Sequence, residues 1–272
     1  MAIAKSEAVL LKAFNWAESS RTLVFFTREF GKLPIVDKGG RSIKSKRGRL
    51  IPFAVLELTF YKSDKEARGY VSDIELIRAF EFEKEGTLGR LAYGSAACEL
   101  LYLLLPEEEP QADLYAYLLS YLEFIDNADR KGLPALFITF YLRLLSHLGY
   151  HPSLAYCVAC GRDIEETTAT DRLSFSPERG GMVCQACQTP GERYIVVPLE
   201  AYQLLLRLQT MNLSEASAIS IGYQQGMGML DMLTSFLTFQ SGMKSDLKSL
   251  EFLEKLKKTH LTPEKDQNGQ DS

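Results

Sequence analysis

The sequence predicts an α+β chain: a small closed β-barrel, then an α-helical part with a four-cysteine metal segment inserted into it. Three observations carry this. Five short β-branched and aromatic runs, separated by glycine-bearing turns, fill the first eighty residues. From Thr87 onward apolar residues recur at helical spacing. Within that helical stretch stand two Cys-x-x-Cys pairs, Cys157/Cys160 and Cys184/Cys187, with twenty-three residues between them.

In the first part, Glu7 to Trp16 is a strand candidate and Arg21 to Phe30 is β-branched and aromatic. Gly31 turns the chain into Lys32 to Val36. Leu50 to Tyr61 reads as one long strand, with Pro52 confining its start to an edge. Gly69 to Phe80 is the fifth. Five such strands suit an OB-fold, and an SH3-like barrel fits nearly as well.

Between the third and fourth strands, Lys38 to Arg49 reads K-G-G-R-S-I-K-S-K-R-G-R, with six cations and no acid. Flexible cations can follow a phosphate backbone, and glycines let the main chain come close. Lys38, Arg41, Lys44, Lys46, Arg47 and Arg49 are therefore the candidate nucleic-acid ligands, with Arg28 and Lys32 flanking them from the neighbouring turn. Phe25, Phe26, Phe53 and Tyr61 are candidate stacking faces; barrel core is the competing role. A basic run can also be plain solvated surface.

The net charge of −4 conceals a segregation. Residues 1–80 hold fifteen Lys/Arg against nine Asp/Glu, and the remainder sixteen against twenty-six. A basic first domain implies an anionic partner for that domain alone. The character changes around Glu81 to Glu85, which divides the chain into 1–82 and 83–259, with a polar tail, 260–272, expected to be disordered.

In the second part Leu133, Leu136, Phe137, Phe140, Tyr141, Leu144, Leu145 and Leu148 keep an amphipathic rhythm. Leu91 to Leu105 and Asp113 to Ile125 are apolar nearly all round, as buried helices are. Pro198 to Leu208, Gly222 to Phe239 and Ser245 to Lys258 supply three more. The two cysteine pairs aim four thiolates at one point, which suits one closed, structural zinc ion in segment 157–187; paired disulfides are the alternative. Gly161, Gly180 and Gly181 suit the tight turns such a grip requires.

Other classes of function lack their signatures. Neither G-x-x-x-x-G-K-[ST] nor G-x-G-x-x-G occurs. His147 and His151 are spaced i, i+4, but Pro152 follows them and no H-E-x-x-H surrounds them, which favours a structural role. Cys98, among small apolar residues, reads as core. Glu107, Glu108 and Glu109, the acids a metal-dependent nuclease would need, sit in a proline-flanked turn and read as a solvated loop. Lys5, Glu7 and Lys12 interrupt any signal-peptide core, and Leu133 to Leu142 is too short to span a bilayer. Five cysteines, four of them in pairs, suit a reducing cytosol.

Several separated stretches resemble the bacterial RecO family of recombination mediators, in the family's order. They are T-R-E-F-G-K-L (Thr27 to Leu33), K-G-G-R (Lys38 to Arg41) and K-S-K-R-G-R-L-I-P-F (Lys44 to Phe53) around the basic loop. Further on come F-Y-L-R-L-L-S-H-L-G-Y-H-P (Phe140 to Pro152), F-S-P-E-R-G-G-M-V-C-Q-A-C (Phe175 to Cys187) and L-K-S-L-E-F-L (Leu247 to Leu253). The resemblance implies an OB-fold followed by a zinc-bearing helical domain, without catalytic activity. It further implies binding of single- and double-stranded DNA, annealing of complementary strands, and action with RecR to load RecA onto DNA coated by single-strand-binding protein, whose acidic C-terminal tail the helical domain contacts. Such a protein is cytoplasmic and nucleoid-associated. A zinc-stabilised protein–protein adaptor that does not touch DNA is the rival reading.

Overall fold

The computed structural model describes residues 2–15, 18–40, 50–62, 68–80, 82, 87–167, 172–242, 247–249 and 251–252. Strands β1 (Ala2–Asn15), β2 (Arg21–Thr27), β3 (Gly31–Asp37), β4 (Val55–Lys62) and β5 (Gly69–Arg78) close a barrel in the order β1-β2-β3-β5-β4. β3 and β5 run parallel and every other pair is antiparallel. This is the Greek-key order of an OB-fold, which settles the barrel type that the strand count alone left open. β1 makes closure possible. Its first half pairs with β4 and its second with β2, and a register shift between Leu10 and Lys12 bends the strand from one partner to the other.

β2 is buried on both faces, which explains its unbroken apolar run. Leu23 and Phe25 point into the barrel core with Ile35, Leu58 and Phe60. Phe26 points the other way, into the helical core, where its ring meets Tyr115 edge-on at 5.5 Å. Val9 and Phe53 also leave the barrel for that core. β4 starts later than its apolar run suggests, at Val55 instead of Leu50. Phe53 takes a left-handed conformation (φ 63°) that turns its ring out against Phe82, 5.1 Å away, so the chain cannot be extended there.

The helical part comprises α1 (Thr87–Leu104), α2 (Ala112–Asn127), α3 (Leu133–His147), the single turn α4 (Ile164–Thr167), α5 (Leu199–Thr210), α6 (Leu213–Ser217) and α7 (Tyr223–Ser241). Between α4 and α5 lies a small sheet of β6 (Arg172–Ser176), β7 (Gly181–Val183) and β8 (Ile195–Pro198), ordered β7-β6-β8. The expected roles of two helices are exchanged. α3 touches α1, α2, α5, α6 and α7 and is buried nearly all round. α2 buries one stripe, Leu114, Leu118, Tyr121, Leu122 and Ile125 among its members, and leaves the opposite face to solvent. A helix at the centre of a bundle has no solvent face for a rhythm to mark.

Neither α1 nor α2 carries a basic residue in its last turn, and both borrow one. The buried Arg90 donates from Nε to Ile125 O (3.1 Å) and from Nη2 to Ala128 O (2.6 Å), closing the end of α2. The end of α1 takes Lys32 from the barrel, whose Nζ donates to Tyr102 O at 3.0 Å. A cation at a helix C-terminus satisfies carbonyls that have no partner within the helix and lies at the negative end of its dipole. Among the described residues, no helix is long and apolar enough to cross a membrane. The helix expected over 245–258 lies mostly outside the described residues, and the tail 260–272 wholly so.

Candidate functional site

The basic stretch occupies the connection between β3 and β4, held at both ends. At the leading end, the fully buried Asp37 accepts from Arg21 Nε at 2.8 Å. The turn after it folds so closely over the carboxylate that a Cβ on Gly40 would lie 1.7 Å from Asp37 Oδ2. Only glycine fits. At the trailing end Leu50 packs against the barrel core, and Phe53 and Ala54 are buried. Lys38 is exposed, with Nζ 3.9 Å from the centroid of the Tyr70 ring. Arg41, Lys44, Lys46, Arg47 and Arg49 lie outside the described residues.

Arg28 is exposed at the β2–β3 turn, where its backbone N–H donates to Glu7 O. Lys32, expected on the DNA-facing surface, is only 9% exposed. Its ammonium is engaged at the end of α1 by the carbonyl of Tyr102. Burial lowers its pKa, with Glu107 opposing. Of the aromatic candidates, Phe25, Phe26 and Phe53 are core. Tyr61 alone is exposed, at 37%.

The turn bearing Glu107, Glu108 and Glu109 is a seam between the barrel and the helices. Glu107 forms a parallel bridge with Lys32, and Glu108 N donates to Lys32 O at 2.9 Å. Glu108 Oε2 also pairs with Lys62 Nζ at 2.6 Å. Gly31 (φ 68°) lies so close that a Cβ there would stand 1.9 Å from Glu109 O.

The four paired cysteines converge. The Sγ atoms of Cys157, Cys160, Cys184 and Cys187 all lie within 4.8 Å of one another, and no other comparable group of potential metal ligands occurs among the described residues. Cys160 and Cys184 are 3.8 Å apart. Metal–sulfur bonds of about 2.3 Å place the corners of a tetrahedron about 3.8 Å apart, whereas a disulfide joins its sulfurs at about 2.05 Å. All four thiols are free.

Local backbone structure builds the centre. The first pair sits on a turn closed by Gly161 N to Cys157 O (2.8 Å), with Gly161 at φ 72°. The second sits on a 3-10 turn closed by Cys187 N to Cys184 O (2.9 Å). β7 joins the two, because Val158 N donates to Met182 O and Met182 N to Ser153 O. A Cβ on Gly181 would lie 2.5 Å from Ser153 O, so this crossing depends on glycine. Burial pushes the Cys157 thiol up, but the backbone N–H groups of Cys184, Ala159 and Cys160 outweigh it and hold the thiol below its usual value. The backbone N–H and guanidinium of Arg162 push Cys160 down to about 6. Hydrogen bonds with Cys184 and Cys160 instead push Cys187 up to about 12, so the sulfurs hold their protons unequally. Four thiols converged on one point fit a metal ion that prefers sulfur. The sequence marked the four cysteines; Arg162 and the β7 crossing carry no motif and went unseen.

Other candidates resolve into structure. His147 Nε2 lies 2.9 Å from Gln111 Oε1 and His151 Nε2 lies 2.8 Å from Ser146 Oγ, so each imidazole has its own partner. Cys98 is buried, which pushes its thiol up to about 12.

The chain matches the family models described as Recombination protein O N terminal over residues 1–80 and Recombination protein O C terminal over residues 85–251. Similar proteins include the DNA repair protein RecO of Symbiobacterium thermophilum, 29% identical over 258 residues, covering 94% of this chain and 99% of the relative. That of Chlorobium limicola is 32% identical over 227 residues, covering 81% and 85%. That of Desulforamulus reducens is 28% identical over 262 residues, covering 96% and 98%. With an OB-fold barrel, a helical part bearing four converged cysteines and matches along almost its whole length, the chain belongs to the RecO family of DNA repair and recombination proteins.

Proposed function

We propose that the protein is a DNA-binding recombination mediator. In this reading residues 1–82 bind single- and double-stranded DNA through Lys38, Arg41, Lys44, Lys46, Arg47 and Arg49, with Arg28 beside them. Residues 83–259 serve partners: RecR, with which the protein loads RecA, and the acidic tail of single-strand-binding protein. One observation carries it: six cations without an acid are strung between two anchored ends of an OB-fold barrel. Cations so placed neutralise phosphates without reading bases, which lowers the repulsion between complementary strands and so promotes annealing. The work is positional and needs no nucleotide hydrolysis. One structural zinc ion on Cys157, Cys160, Cys184 and Cys187 leaves no open coordination position for water. The setting is cytoplasmic, at the nucleoid.

If about six phosphates are neutralised, affinity for a labelled single-stranded oligonucleotide of arbitrary sequence falls with salt along a log–log slope near −4. Replacing the six cations by alanine costs roughly a thousandfold in affinity at 0.15 M salt and abolishes most of that slope. A slope near zero in the unaltered protein defeats the reading and favours an adaptor that does not touch DNA.

A further inference from the structure

The outer surface of the barrel changes character row by row. Strand register aligns Ile3 with Tyr61, Tyr61 with Tyr70 and Tyr70 with Val36, forming one row across β1, β4, β5 and β3. Phe60 and Val71, the neighbours of the two tyrosines, belong to the barrel core, so the alternation of the strands turns Tyr61 and Tyr70 outward. Ile3 is 64% exposed and Tyr61 37%. Two cations flank the row: Lys38 Nζ lies 3.9 Å from the Tyr70 ring centroid, and the exposed Arg68 stands two residues before Tyr70; Lys62, which follows Tyr61, is paired with Glu108. The next rows are Lys5, Thr59 and Asp73, then Glu7, Glu57 and Glu75. Lys5 is tied to Glu57 at 2.7 Å, so these rows present net negative charge.

We propose that Tyr61 and Tyr70 form a stacking platform for unpaired bases, with Lys38 beside it. The proposal rests on the DNA-binding reading above and adds a preference to it. Phosphates are drawn to the aromatic row by its cations and repelled from the rows beyond by Asp73 and Glu75, which confines a strand to the tyrosines. Bases of a single strand can unstack and lie on these rings, whereas those of a duplex are already stacked on one another. Phosphate contacts serve both forms of DNA, and stacking serves only one. The platform therefore gives a preference for single strands that the cations alone cannot supply.

The test is the double variant Tyr61→Leu/Tyr70→Leu, compared with Tyr61→Phe/Tyr70→Phe, on an oligothymidine and on a blunt duplex of equal length. The leucine variant should lose roughly tenfold or more in affinity for the single strand, the scale of stacking one or two bases. Its duplex affinity should stay within about twofold, and its salt slope should be unchanged, since no phosphate contact is removed. The phenylalanine variant keeps the rings and should bind both DNAs as the unaltered protein does, which separates stacking from loss of the phenolic hydroxyls. Equal loss on both DNAs, or no loss on the single strand, overturns the platform. If the unaltered protein binds with a steep salt slope while the leucine variant is unimpaired, the platform fails and the DNA-binding reading stands; if the unaltered protein does not bind at all, both fail.

Discussion

The barrel and the cysteine segment both attach to the same bundle of helices, and they do so in opposite ways. The barrel's attachment is spread out. Val9, Phe26 and Phe53 enter the helical core, the turn after α1 pairs with the start of β3, Lys62 pairs with Glu108 and Arg78 with Glu123. The cysteine segment also contributes many apolar side chains to that core, Ile164, Leu173, Met182 and Val183 among them, and Phe175 meets Phe236 at 6.2 Å. Its own folding, however, converges on four sulfur atoms at the crossing of two turns and a three-residue strand. Contacts spread over many residues lose stability by increments; turns gathered round four sulfurs depend on a single point.

The largest effect is expected at the sulfurs. Structural zinc contributes on the order of 10–16 kcal/mol of apparent binding energy in small zinc modules at neutral pH, and that energy is folding energy. Chelation, or Cys157→Ser with Cys160→Ser, should release about one zinc ion per chain. It should also strip exchange protection from the amides of Val158 and Met182, which hold the crossing together. Barrel amides such as Phe25 and Leu58 should keep theirs. Uniform loss across both regions would erase the contrast. Purified protein with no metal and four oxidised cysteines would remove its basis.

A smaller, graded loss is expected at the seam. Gly31→Ala places a side chain in the left-handed region and a Cβ where Glu109 O now sits. The conformation alone costs about 1–2 kcal/mol, and the close approach adds to it because backbone must shift. The melting temperature should fall in a single transition, since the other attachments still couple barrel and helices. Separate melting of the barrel would show that the seam, not the apolar contacts, joins the two.

How much of this was legible depended on how local the cause was. Two cysteine pairs write their geometry into short spacings, so the four cysteines that converge were plain from the sequence. The five barrel strands were legible because each carries its own apolar pattern, although β1 begins at Ala2, five residues before the expected Glu7. β6, β7 and β8 were not, since three to five residues are too few to show a period and their pairing depends on each other and the cysteine turns. Glu107 to Glu109 read as a solvated turn, and all three are exposed; that their backbone also meets β3 was hidden, because nothing local says that a strand edge passes by. The burial of Lys32 was hidden for the same reason: its partner carbonyl, on Tyr102, is seventy residues away.

Lys32 therefore gives the finest test of the contrast. Its ammonium closes the end of α1 and leans on the Tyr102 ring, 5.7 Å from the centroid, but it has been drawn out of water to do so. A hydrogen bond to a helix end contributes about 1 kcal/mol, and desolvation of the charge offsets much of it. Lys32→Met keeps the unbranched stem and should change stability by less than about 1 kcal/mol at neutral pH. The sign with pH follows from burial. The folded-state pKa lies below the ordinary value of 10.5, so in the alkaline range between the two the unfolded chain holds the proton more firmly. The folded state thus gains stability as pH rises through that range, and the methionine variant should lack this gain. DNA affinity and salt slope should match the unaltered protein, because a cation buried at a helix end meets no phosphate. A slope reduced by about 0.7, one phosphate's share on a single strand, would return Lys32 to the DNA surface and make this part of the seam a binding site.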